Sequence, residues 1–133
     1  MINLDKKSIL SSCTLCPREC GINRFVTTGF CGSPAEPVVA RAALHMWEEP
    51  CISGTEGSGA VFFCGCQLRC VYCQNYWVAN SYTGKQITDD RLAEIFMELQ
   101  CQNANNINLV TPTHYTISII NAIEKARKAG LSI

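Results

Sequence analysis

The strongest pattern of apolar and polar positions lies between Thr88 and Cys101. Leu92, Ile95, Phe96 and Leu99 recur at i, i+3, i+4 and i+7, the spacing of one buried helix face. Thr88 stands as the cap, and Asp89 and Asp90 fill the first turn, where negative charge complements the helix dipole. A second helix is predicted from about Tyr115, with Ile119, Ala122, Ile123 and Ala126 at the same period. Lys125, Arg127 and Lys128 occupy its last turns and Gly130 follows as the stop. Between the helices, "INLV" (107–110) reads as a strand. Ahead of them, "AVFFC" (60–64) is a short apolar run that fits a strand buried on both faces. The Gly-Ser-Gly of 57–59 marks a turn before it. Leu131-Ser132-Ile133 reads as the opening of a third strand. Strand, helix, strand, helix and strand-start in this order imply an α/β class, with parallel strands joined by helical crossovers. The alternation does not separate an open sheet from a barrel.

Upstream of residue 60 the periodicity fades. Residues 1–32 hold four cysteines together with Pro17, Gly21, Gly29 and Gly32, a loop-rich composition with little apolar material for a core. Residues 33–59 form a connector, in which Val38 to Leu44 fits a strand and a short helix equally. The organisation is therefore a cysteine-rich metal-binding region (1–32), a connector (33–59) and an α/β region (60–133).

Composition changes this picture at one point only. The chain has 133 residues, 47% hydrophobic and 17% charged, which is the composition of a globular domain. Eleven basic residues balance eleven acidic ones, so charge gives no support to nucleic-acid binding or to an acidic membrane surface. No window approaches the roughly 18 apolar residues of a membrane span. "MINLDKKSILSSC" lacks the apolar core of a signal peptide. The outlier is the count of ten cysteines. An even, dense set fits a secreted disulfide scaffold, a set of metal ligands or buried free thiols. The C-x2-C and C-x3-C spacings and the missing signal peptide favour metal ligation in a reducing, cytoplasmic setting.

The densest stretch is "FFCGCQLRCVYCQNY" (62–76). Cys66, Cys70 and Cys73 form C-x3-C-x2-C directly after the first predicted strand of the α/β region. Thiolate is a soft ligand suited to iron–sulfur clusters, zinc or copper(I). A cubane [4Fe–4S] cluster usually takes four cysteines, so a three-cysteine loop leaves one iron without a protein ligand. Such an iron can bind a substrate or cofactor, as catalytic zinc does at its open position. Cys64 precedes the loop and reads as a small buried filler. Cys13, Cys16, Cys20 and Cys31 form C-x2-C-x3-C-x10-C, a set able to close a zinc site or ligate a second iron–sulfur cluster. Spacing alone does not separate the two. A region so poor in core would gain most from a metal staple. Cys51 and Cys101 read as structural. No chemistry is assigned to Arg41, His45, Glu48 or Glu49.

C-x3-C-x2-C with Tyr72 just before the third cysteine resembles the signature of the radical S-adenosylmethionine superfamily. "CTLCPRECGINR", "HMWEEPCISGTEGSGAVFFCGCQLRCVYCQN" and "NLVTPTHY" resemble the group related to pyruvate formate-lyase activating enzyme and labelled PflX-like. The likeness runs from Cys13 to Gly130. It implies that Cys66, Cys70 and Cys73 hold a [4Fe–4S] cluster whose open iron chelates S-adenosylmethionine. It also implies reductive cleavage of that cofactor to methionine and a 5′-deoxyadenosyl radical, with oxidoreductase-like chemistry on a further substrate. The electron would come from a donor such as flavodoxin or ferredoxin, and the substrate could be a glycyl radical enzyme or another protein. Tyr72 matches the position that packs on adenine. Asn75, with Gln74, would donate hydrogen bonds to cluster or cofactor. Many relatives hold the cofactor's amino group with a Gly-Gly-Glu stretch after the second strand. Here that place reads Thr111-Pro112-Thr113-His114, so Thr111 and Thr113 are the candidate contacts and no carboxylate is present. A lone histidine at a helix start, such as His114, is more often a satisfied polar residue than a proton donor.

The resemblance implies a partial or full β/α barrel, with the cluster at the carboxyl ends of the strands. A full (β/α)8 barrel takes about 250 residues. Residues 60–133 hold two β/α units and the start of a third, the beginning of such a barrel, and would leave two exposed sheet edges. The expectation is a piece of a longer protein that keeps the cluster ligands but not the whole substrate cavity. The competing functional reading is a non-catalytic iron–sulfur or zinc protein that carries electrons or scaffolds a partner. A thiol redox protein using C-x2-C is a third.

Overall fold

The computed structural model describes residues 5–80 and 83–133. In chain order the elements are α1 (Lys6–Ser11), β1 (Val38–His45), α2 (Pro50–Ser53), β2 (Ser58–Phe63), α3 (Tyr76–Asn80), β3 (Lys85–Gln86), α4 (Asp89–Cys101), β4 (Ile107–Val110), a 3₁₀ turn (Thr113–Tyr115) and α5 (Thr116–Lys128). The four strands form one sheet in the order β3-β1-β2-β4. β2 and β4 are parallel, with Gly59 opposite Ile107 and Phe62 opposite Val110. The crossover between them carries α4, as the alternation predicted. β1 pairs antiparallel to β2 and β3 antiparallel to β1, so the sheet is mixed. The connector segment that fits strand and helix equally is a strand. Its register shifts between Val39 and Arg41, a β-bulge. Among the described residues the sheet stays open, with β3 and β4 as its edges.

α4 and α5 cover one face of this sheet. Val61 and Phe63 of β2 meet Leu92, Ile95, Phe96 and Leu99 of α4 and Ile119 and Ala122 of α5. Burying a side chain such as Phe96 contributes about 1.5–3 kcal/mol. The Thr88 hydroxyl accepts from the Arg91 N–H at 3.2 Å, so the predicted cap is in place. Asp89 accepts from Lys6 at 2.8 Å and from Asn121 at 3.0 Å, which ties α1, α4 and α5 together. Burial alone would raise the Asp89 carboxyl, but these two bonds, the Lys6 charge and a Ser118 hydrogen bond together hold it below its usual range.

Two expectations need correction. Leu131-Ser132-Ile133 opens no strand. The Leu131 N–H bonds the Ala126 carbonyl at 2.9 Å and the Gly130 N–H bonds that of Arg127 at 3.1 Å, which is a Schellman cap on α5. Ser132 N–H then donates to the Gln100 side chain at 2.7 Å, so the backbone donors a strand would use are committed. The turn placed at 57–59 lies earlier, at residues 54–56, because Ser58 and Gly59 already pair within β2.

A smaller apolar cluster sits under α1. It comprises Leu10, Cys13 and Ala35, with Ile9 and Leu15 against it.

Candidate iron–sulfur centre

The loop Gly65–Asn75 leaves the carboxyl end of β2, next to the carboxyl end of its parallel neighbour β4. Ligands of open α/β sheets bind at such strand ends. Cys64 is fully buried, and burial pushes its thiol pKa up. It keeps its proton and fills space, as the filler reading expects. Gly65 follows at φ +81°, and a Cβ there would lie 2.2 Å from Ser33 Oγ and 2.6 Å from the Cys31 carbonyl oxygen. Only glycine fits this corner, which swings the chain from strand into loop. Cys66 is buried, Cys73 half-buried and Cys70 exposed. The Leu68 N–H donates to Cys66 Sγ at 3.4 Å. The Cys73 N–H bonds the Cys70 carbonyl at 3.2 Å and the Tyr76 N–H bonds that of Cys73 at 3.1 Å, coiling the loop into α3.

Three cysteines in eight positions, one with a backbone donor on its sulfur, suit an iron–sulfur cluster by the softness of the donor set. Among the described residues no three Cys, His, Asp or Glu side chains stand together at metal-holding distances. All ten cysteines are free thiols.

The other candidate residues surround this loop unevenly. Tyr72 is 88% exposed, and Leu68, Val71 and Trp77 are exposed with it. Asn75 is half-buried, and its carbonyl accepts the Ala79 N–H at 2.9 Å, so its backbone starts α3. Gln74 is exposed. Thr111 ends β4 in the left-handed region at φ +57°, a strained place for a β-branched residue. Its hydroxyl donates to the Phe63 carbonyl at 3.2 Å, linking the two strand ends. The Thr113 carbonyl accepts from the Thr116 hydroxyl at 2.7 Å.

His114 is buried beneath the loop. Its Nε2 lies 2.9 Å from the Cys64 carbonyl, while Nδ1 has no hydrogen-bond partner. Burial lowers its pKa to about 4, with the Arg24 charge adding to the effect. The sequence reading of a satisfied polar residue therefore holds for one ring nitrogen only. Burial likewise pushes the Tyr115 phenol up to about 12.

Sequence reasoning passed over Arg24. It is 3% exposed, and its side-chain hydrogen bonds go to carbonyls of the connector and of the 3₁₀ turn. Its Nε donates to the Ser33 carbonyl at 3.2 Å and its Nη1 to that of His114. Its guanidinium also lies 5.2 Å from the Tyr115 ring centroid. Arg24 thus fastens residues 1–32 to the segment after β4. Further contacts tie the two cysteine sets together. The Cys66 N–H bonds the Cys31 carbonyl at 3.1 Å, and Arg18 Nε donates to the Gln67 carbonyl at 3.1 Å. Arg18 and Arg69 both stack on the Phe30 ring, at 3.9 and 4.7 Å. No local sequence signal marks these pairings, since each joins residues far apart in the chain.

Comparison with known proteins supports an iron–sulfur protein. The chain is 30% identical over 126 residues to a protein of Methanocaldococcus jannaschii named only as uncharacterized protein MJ0674. That alignment covers 88% of this chain and 36% of the relative, so the chain spans about a third of the relative's length. No solved structure matches. The family described as "4Fe-4S single cluster domain" matches residues 52–132, a segment that contains Cys66, Cys70 and Cys73 but not the first four cysteines. With more than half its length matched, the chain belongs to the 4Fe-4S single cluster domain family.

Proposed function

We propose that the chain is the cluster-bearing part of a radical S-adenosylmethionine iron–sulfur protein. The observation that carries this reading is a three-thiol loop, Cys66–Cys73, launched from the carboxyl end of β2 beside the parallel β4. Three protein ligands leave one iron of a cubane open. When bound there, S-adenosylmethionine would accept one electron and split into methionine and a 5′-deoxyadenosyl radical. This chain's own residues hold and shape that place. Gly65 turns the loop, Leu68 N–H supports the Cys66 sulfur, and the Thr111 hydroxyl pins the two strand ends. The Thr111 hydroxyl is already committed, so its contribution to the cofactor would be backbone. Thr113 and Asn75 have side chains left for polar contact. Tyr72, exposed at the loop's crest, would cover adenine once the loop closes.

The activity belongs to the whole protein, of which a glycyl radical enzyme or another protein is the proposed substrate and flavodoxin or ferredoxin the proposed donor. The test is release of 5′-deoxyadenosine from S-adenosylmethionine under dithionite, with the anaerobically loaded protein. Release that disappears in Cys70→Ala supports the reading. A loaded cluster that leaves S-adenosylmethionine intact supports an electron carrier instead.

A further inference from the structure

We propose that Cys13, Cys16, Cys20 and Cys31 form a second metal site, a four-thiolate site separate from the Cys66 loop and joined to it through the backbone at Cys31. The site lies outside the matched family segment and is independent of the S-adenosylmethionine reading.

The backbone folds three of these residues, Cys13, Cys16 and Cys20, into one turn. The Cys13 N–H bonds the Ile22 carbonyl at 2.9 Å and the Gly21 N–H bonds the Cys13 carbonyl at 3.0 Å. Between them, the Glu19 N–H bonds the Cys16 carbonyl at 3.0 Å, so Cys13, Cys16 and Cys20 sit on one tight hairpin-like turn. Cys20 Sγ lies 3.8 Å from the Cys13 carbonyl. It also lies where a Cβ on Gly29 would come within 2.8 Å of it. The absence of a side chain at Gly29 therefore lets a sulfur from the turn reach the strand of chain that carries Cys31, two residues on. The Gly32 N–H bonds the Gly29 carbonyl at 2.8 Å, which bends the chain around Cys31.

The energetic case is independent of that geometry. The apolar cluster under this region contains three buried residues, Leu10, Cys13 and Ala35. Ordering each residue costs roughly 1.5 kcal/mol, and a core of this size does not offset that over some thirty residues. Meanwhile Phe25, Val26 and Phe30 are exposed and add nothing to it. Four thiolates on a metal supply what the core lacks, as in small metal-stapled domains. The four sulfurs do not stand at ligand distance here, and neither do those of the Cys66 loop. Loading would have to draw the sulfurs of each set together, as where metal binding and ordering are coupled. Tetrathiolate chemistry serves zinc and an iron–sulfur cluster alike.

The proposal is tested on the full chain with Cys66, Cys70 and Cys73 all replaced by alanine, so that only the second site can hold metal. The protein is loaded in parallel with zinc and with iron plus sulfide, and metal per chain is measured. We expect one zinc ion or one cluster to remain, with X-ray absorption showing an all-sulfur shell. Adding Cys20→Ser should weaken metal retention roughly tenfold or more. Absence of stoichiometric metal under both loadings overturns the proposal. A comparison that leaves the Cys66 loop intact is wild type against Cys20→Ser alone, Cys20 being exposed. Loss of the second metal with the loop's cluster retained is the expected result, and equal metal content contradicts it. Failure of the S-adenosylmethionine reading would show instead in the chain lacking the four N-terminal thiols.

Discussion

A methyl group at Gly65 would have to share space with Ser33 Oγ at 2.2 Å, and its backbone sits at φ +81°. Gly65→Ala should therefore cost roughly 1–3 kcal/mol from backbone strain alone. It should also lower cluster loading, because the corner aims Cys66. Denaturant unfolding and iron content of the reconstituted protein check this together. His114 gives a second expectation, in pH. Its folded pKa, about 4, lies below the ordinary histidine value of 6.5. Between those values the unfolded chain binds the proton and the folded chain does not, so stability is full above 6.5 and declines as pH falls toward 4. Urea midpoints measured from pH 7 to 4.5 should drop in wild type and drop less in His114→Gln. The loop cysteines were legible from sequence because ligand spacing is local. The partner of His114 was not, because a buried ring is positioned by Cys64, fifty residues away.

α4 and α5 are the elements the periodicity described most fully, down to the Thr88 cap and the Gly130 stop. Their signals are local: an apolar stripe, a capping hydroxyl and charges in the end turns. Phe96→Ala in the centre of this packing should cost about 3–5 kcal/mol, read by thermal or denaturant unfolding. Thr88→Ala should cost about 1 kcal/mol by loss of the cap. The strands were legible where apolar runs are continuous, in β2 and β4. β1 was ambiguous because "VVARAALH" carries helix formers beside β-branched residues, and its pairing with β2 decides the matter. β3 has two residues and no pattern of its own. The third strand expected at Leu131 failed because three residues cannot show a period, and the Schellman cap takes the Leu131 N–H.

At the scale of the molecule, the cysteine-rich region is no appendage. Arg24 reaches the His114 carbonyl, Arg18 reaches that of Gln67, and the Cys31 carbonyl receives the Cys66 N–H. Arg24→Ala leaves buried carbonyls without a donor and should cost roughly 3 kcal/mol. Limited proteolysis should then cut first within residues 12–32. These contacts span the chain and could not be read from spacing. The family match supplies the cluster, and what stays to be tested is the open iron. The most direct measurement is electron paramagnetic resonance of the dithionite-reduced, anaerobically loaded protein with and without S-adenosylmethionine. A cluster signal whose g-values shift on addition, and which is lost in Cys70→Ala, is the predicted result. An unchanged cluster signal, with iron retained in Cys70→Ala, would contradict a three-thiol cluster with a corner free for that cofactor.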